Sequence, residues 1–192
     1  MRMSNLSNVL LADIEQLKEE SYLDKNVDNR NIRTAMMYVQ DYIVDHVTGS
    51  CLLDQIKYLI CNNKIKCDCY RWYKKLLDEH IFPILTYGIQ AELAPHLTLK
   101  ERNEGIIRNS DQNLQYPVLS EVNYIKGQYS NKLDFYVVRA VKFLKCNRKR
   151  FIELCGCGCL CDCETAPFAD IPYTSSLSLN ATFNNNRNKY RL

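Results

Sequence analysis

Five cysteines fall within nine residues in the run Cys155-Gly156-Cys157-Gly158-Cys159-Leu160-Cys161-Asp162-Cys163. Soft thiolates hold zinc, copper(I) and iron–sulfur centres. Structural zinc usually has two to four residues between paired ligands; here a single residue separates each pair. In an extended chain all five sulfurs would point to one face, a row that cannot wrap around one ion. Gly156 and Gly158 let the chain coil so that neighbouring sulfurs converge. Cys67-Asp68-Cys69 is a second Cys-x-Cys, at the start of an expected helix. There the positive end of the helix dipole favours the thiolate. Cys67 and Cys69 together with two sulfurs of the run would complete a four-thiolate site. Two active chemistries therefore stand side by side for Cys67, Cys69, Cys155, Cys157, Cys159, Cys161 and Cys163: zinc as a bound cofactor, or disulfides in an oxidising setting. Inert thiols are the third reading. Cys51, Cys61 and Cys146 read as small core residues.

Over its nine residues the run resembles a metallothionein, whose Cys-x-Cys repeats hold clusters of zinc or copper. That resemblance implies metal at the run alone. The hydrophobic helices elsewhere have no counterpart in a metallothionein, and no family assignment follows.

Other residues carry weaker chemistry. The stretch Arg139 to Arg150 has six cations and no acid. On a helix face, Arg139, Lys142, Lys145, Lys149 and Arg150 suit nucleic-acid phosphates. The competing reading is a solvated face whose long stems cover apolar surface. Arg187, Lys189 and Arg191 add charge to the tail. Thirteen tyrosines read first as core and interface packing with a polar handle. His46, His80 and His96 stand near no nucleophile motif. No phosphate-binding glycine loop, His-Glu-x-x-His or Gly-x-Ser-x-Gly occurs.

These residues need helices to position them. Leu6, Leu10, Ile14 and Leu17 predict an amphipathic helix from Ser4 to Glu20. Ile32, Met36, Val39 and Ile43 predict a second from Asn29 to His46, with Asp28 as its N-cap. A third is expected from Cys51 to Ile60. A fourth starts near Asp68 with Tyr70, Tyr73, Leu77, Ile81 and Ile84 on one face, and Pro83 is expected to kink or break it. Gly88 and Pro95 read as punctuation beyond it. Thr98-Leu99-Lys100-Glu101 has capping-box form, predicting a short helix to Arg108. Residues 109–131 read as a long connection with a strand at Val118 to Ile125. The last helix is expected from Lys132 to Leu154, burying Leu133, Tyr136, Val137, Ala140, Val141, Leu144 and Phe151. Ser176 to Phe183 alternates like a strand.

The expected fold is mainly α: a multi-helix single domain over 1–154 with one or two short strands. Residues 155–192 form a cysteine-rich C-terminal knuckle and polar, basic tail, packed on that domain or extending from it. A net charge of +3 over 192 residues does not argue for wholesale nucleic-acid binding. No apolar run reaches the roughly 18 residues of a membrane span, and no signal peptide is visible. The expected home is intracellular, in cytoplasm or nucleus, or within a virion or assembled particle. The functional expectation is a non-enzymatic structural protein that self-associates, such as a viral structural or matrix protein, with the cysteine run used for cross-links or metal. No membrane partner or small-molecule substrate is expected. The alternative is a zinc-dependent regulator that binds nucleic acid.

Overall fold

The computed structural model describes residues 6–102, 105–108 and 119–155. The described chain is mainly helical. Its α-helices are α1 (Ile14–Glu19), α2 (Asn29–Val39), α3 (Asp45–Thr48), α4 (Ser50–Cys61), α5 (Arg71–Leu76), α6 (Phe82–Thr98) and α7 (Leu119–Cys146). A π turn, Gln40–Val44, joins α2 to α3, and another, Leu77–Ile81, joins α5 to α6. Strands β1 (Leu99–Arg102) and β2 (Gly105–Arg108) pair antiparallel, with Leu99 opposite Arg108. Among the described residues no helix is long and apolar enough to cross a membrane.

The centre of the fold is α6. Ile84, Leu85, Thr86, Ile89, Gln90, Ala91 and Leu93 are all buried, so the helix is covered all round rather than along a stripe. Its main neighbours are α7 and α2. Ile32, Met36 and Val39 reach it from α2, and Leu133, Val137, Ala140 and Leu144 belong to the same core from α7. Gly88 sits where α2 and α6 approach most closely: a Cβ there would stand 2.9 Å from Val39 Cγ1. Gly88 is thus a contact residue inside α6 and not the punctuation its sequence context predicts. Pro95 also lies inside α6.

Pro83 neither ends the helix nor isolates a segment. It lacks the N–H that would bond the Glu79 carbonyl. The π turn immediately before it widens the helix, with Phe82 N–H bonding the Leu77 carbonyl five residues back. The chain passes the proline without a stop. Gly49, at φ 78°, provides the left-handed break between α3 and α4.

Several expectations are corrected. The helix predicted over Ser4 to Glu20 is interrupted: a 3-10 turn, Leu6–Asn8, is separated from α1 by an irregular stretch. The buried side chain of Gln40 bridges that stretch, accepting from Leu11 N–H at 2.8 Å and donating to the Val9 carbonyl at 3.2 Å. With its polar groups satisfied by an amide, the backbone has no need to be helical there. The helix predicted over Thr98 to Arg108 is instead the end of α6 and the β1–β2 hairpin. The strand predicted at Val118 to Ile125 is the first part of α7, which starts thirteen residues before Lys132 and ends at Cys146 rather than Leu154. Only Val122 and Ser130 are buried in that early part, too few for a periodic signal. The strand expected at Ser176 to Phe183, the knuckle and the tail lie outside the described residues. Asp28 caps α2 as expected, accepting from Arg30 N–H.

Two glycine substitutions give opposite signs. Gly127 lies in α7 with nothing within 4 Å of the Cβ it lacks. Gly127→Ala should raise stability by about 0.5–1 kcal/mol, whereas Gly88→Ala should lower it by roughly 1–3 kcal/mol as Val39 is displaced. Denaturant melts of the two single variants check this. Gln40→Leu, which strands the Leu11 N–H and Val9 carbonyl, should cost on the order of 1–3 kcal/mol.

Candidate interaction surfaces

The functional residues expected from sequence separate into three places. The first is the outer side of α7. Its inner face carries Val122, Leu133, Val137, Ala140 and Leu144. The opposite face presents Tyr124 (69% exposed), Phe135 (63%) and Val138 (67%) to solvent, with Arg139, Lys142 and Lys145 exposed beside them. Val141, expected in the buried stripe, is only half-buried.

The second place joins α5 to the C-terminal part of α7. The Arg150 guanidinium lies 4.1 Å from the centre of the half-buried Trp72 ring. Arg71 and Lys75 approach the same ring at 5.9 and 5.8 Å, and Phe143 packs against it at 6.4 Å. Phe143 also stacks on His80 at 4.2 Å. Burial, with Arg139 and Lys75 nearby, holds His80 below the ordinary histidine range. A clip closes this region from beneath: Tyr73 O–H donates to Glu153 at 3.0 Å, tying α5 to the turn after α7. Burial and the Glu153 charge push the Tyr73 hydroxyl well above its usual pKa. The sequence reading found Arg139, Lys142, Lys145, Lys149 and Arg150, all exposed. It missed Arg71, Trp72 and Lys75, for which the cation–aromatic–cation run Arg71-Trp72-Tyr73-Lys74-Lys75 was the available signal.

The third place holds thiols. Cys67 and Cys69 are exposed, free and in contact, with sulfurs 2.9 Å apart. The Cys69 thiol donates to Cys67 and lowers its pKa, while that of Cys69 rises. Tetrahedral zinc at about 2.3 Å per sulfur sets its ligands about 3.8 Å apart, so this pair as it stands is not spaced for zinc. Among the described residues no group of three or more His, Cys, Asp or Glu side chains is placed to hold a metal. Cys61 and Cys146 are exposed free thiols rather than core residues. Cys51 is disulfide-bonded. The run from Cys155 to Cys163 lies outside the described side chains.

Tyrosines act largely as ring contacts. Lys132 Nζ stands 5.4 Å from the rings of Tyr22 and Tyr87 and 5.9 Å from that of Tyr129, so one ammonium joins the segment after α1 to α6 and α7. Tyr38 and Tyr42 stack at 5.4 Å on an exposed part of α2 and the π turn after it. His46 is exposed beside Tyr42, and His96 approaches Glu92 at 3.5 Å.

Asp134, on the flank of α7, has both carboxylate oxygens buried with no hydrogen-bond partner among the described residues. Burial raises its pKa. A raised folded-state pKa gives stability that is present at low pH and is lost as pH climbs through the folded value. Asp134→Asn should therefore raise the melting temperature at neutral pH, with the gain shrinking toward about pH 4. Thermal melts of both proteins across that range check the sign.

Comparison with curated proteins and with solved structures gives no match. One family model matches residues 12–164, a span that includes every described helix and the whole cysteine run. The chain belongs to that family, a family of unknown function (DUF6712).

Proposed function

We propose that the protein is a non-enzymatic structural component that works by associating with copies of itself. The observation that carries this reading is the outer face of α7. Tyr124, Phe135 and Val138 are each more than half exposed, on the face turned away from the core. Tyr124, Asn131, Val138 and Lys145 recur every seven residues, with Gln128, Phe135 and Lys142 between them. The apolar members Tyr124, Phe135 and Val138 lie on one side of the helix, flanked by the polar Gln128, Asn131, Lys142 and Lys145, as at a short contact with a polar rim.

Charge selects the orientation. The exposed acid of α7 near its start is Glu121, while Arg139, Lys142 and Lys145 crowd its end. Two parallel copies would oppose cation to cation. An antiparallel pair instead separates the two basic ends and aligns the helix dipoles favourably.

The cysteines add covalent strength to this reading. Cys51 is in a disulfide, whereas Cys61, Cys67, Cys69 and Cys146 are free. Of the ten cysteines, those left as intrachain partners for Cys51 are Cys155, Cys157, Cys159, Cys161 and Cys163. The turn Ile152–Cys155 packs on α4, the helix that carries Cys51. On this reading the cysteine run, which lies outside the described side chains, serves as a cross-linking element between copies. Disulfides persist inside a virion or other assembled particle, a setting consistent with this role. Zinc is the competing occupant of the run.

Sedimentation velocity of the full chain tests the association. The wild type should form dimers or larger species in a concentration-dependent way, and Phe135→Glu with Val138→Glu should weaken this at least tenfold while the helical signal is kept. A wild type that stays monomeric at every concentration, or a double variant that associates unchanged, overturns the reading. Non-reducing peptide mapping should join Cys51 to a peptide from the run. Stoichiometric zinc with unlinked thiols at the run would overturn the disulfide arm.

A further inference from the structure

We propose that the surface where α5 meets the C-terminal part of α7 binds the phosphate backbone of a nucleic acid. The inference joins the second group of residues above to the cations on the outer side of α7, of which Lys142 and Lys145 also border the apolar residues proposed for self-association. Arg71 and Lys75 come from α5, and Arg139, Lys142, Lys145, Lys149 and Arg150 from α7 and the turn after it. All are exposed. The chain thus assembles on one surface cations that lie some seventy positions apart in sequence.

Acids near this surface leave a positive excess. Asp78 pairs with Lys74, and Glu79 approaches Lys75 at 3.9 Å. Glu153 is turned to the Tyr73 hydroxyl. Phe143 of α7 stacks on His80 at 4.2 Å and packs against Trp72 of α5 at 6.4 Å, which joins the two elements beneath these cations.

Trp72 supplies what a solvated lysine face lacks. A guanidinium stacked flat on an indole is held in one plane, with its N–H fork free along the edge. Arg150 lies over the Trp72 ring with its guanidinium carbon 4.1 Å from the ring centre, within reach of such a contact. Much of the ordering cost of a phosphate clamp is then met before the ligand arrives. From Arg139 to Lys149 the row is about 15 Å long at helical rise. The five cations of that row and the turn after it, Arg139, Lys142, Lys145, Lys149 and Arg150, are enough to engage roughly four phosphates.

A bilayer is the less favoured partner. The apolar residues that would enter it, Phe135 and Val138, lie toward the middle of α7, while the ring at the centre of the cations is half-buried and already stacked. The geometry points to a narrow, phosphate-bearing strand.

The test uses a fluorescein-labelled twenty-nucleotide single-stranded DNA, with anisotropy read against sodium chloride from low to moderate salt. Wild-type protein should bind with a log–log salt slope near −3, from about four released counterions at roughly 0.7 each. Arg139→Gln, Lys142→Gln and Arg150→Gln together should weaken binding at least tenfold and flatten the slope by about 2. Trp72→Leu changes no charge and should still weaken binding severalfold, because it frees Arg150; a thermal melt reports whether its fold is kept. Arg33→Gln, Lys64→Gln and Lys66→Gln together remove the same charge from exposed positions outside this surface and should leave binding within about twofold. The proposal is overturned if the wild type shows no salt-sensitive binding, or if the two triple variants lose affinity equally. Retention on phosphatidylserine vesicles but not on the oligonucleotide would also overturn it. Sedimentation velocity on the Arg139→Gln, Lys142→Gln, Arg150→Gln variant, set beside Phe135→Glu with Val138→Glu, separates a loss of phosphate contact from a loss of association.

Discussion

The fold turns on a helix that cannot face water. α6 is buried over nearly every position from Ile84 to Leu93, so cover must come from several directions at once. α2 supplies one side through Val39 at Gly88, and α7 supplies another through Leu133, Val137 and Ala140. The two π turns bring that cover into place. One lets the chain pass Pro83 into α6. The other places Gln40 so that its amide holds the irregular stretch before α1 against α2. Lys57, 4% exposed, reaches Asp41 of the same turn at 3.3 Å and ties α4 to it. Each of these contacts is modest alone, but all serve the same burial of apolar surface.

What the sequence made legible follows from how many core residues each segment contributes. α2 and α4 were readable because Ile32, Met36 and Val39, or Leu52, Ile56 and Leu59, repeat on one face. The inner stripe of α7 was readable from Leu133 onward for the same reason. The start of α7 was not, since an element anchored by Val122 and Ser130 draws its helicity from continuity with the turns that follow. α6 resisted for the opposite reason: a helix buried all round has no polar side to reveal a period. Its glycine and proline therefore looked like stops. Capping-box chemistry at Thr98 pointed to a helix where tertiary context placed a hairpin.

The candidate surfaces were half legible for a related reason. A cluster contiguous in sequence, such as Arg139 to Arg150, is visible as a charge run. The partner cations Arg71 and Lys75 become relevant only once the Tyr73–Glu153 clip folds α5 against the end of α7. Cys51 shows the same dependence. It reads as an isolated core thiol in the sequence and is disulfide-bonded in the structure, a pairing that spacing alone does not reveal.

The outer face of α7 carries exposed apolar residues and part of the basic charge together. Cations in the last turns of a helix complement its dipole, each contributing about 0.3–1 kcal/mol when exposed. Part of the basic charge at Lys142 and Lys145 is thus accounted for by the helix itself. Arg71 and Lys75 lie on another element, and Arg139 lies about two turns before the end of α7, where the dipole effect has faded. Arg150 lies past that end, over Trp72. A purely structural demand for positive charge would place cations at the helix terminus and leave the ring contact unexplained. Arg71, Lys75 and Arg150 meet at Trp72 from two elements, an arrangement that helix stability alone does not call for.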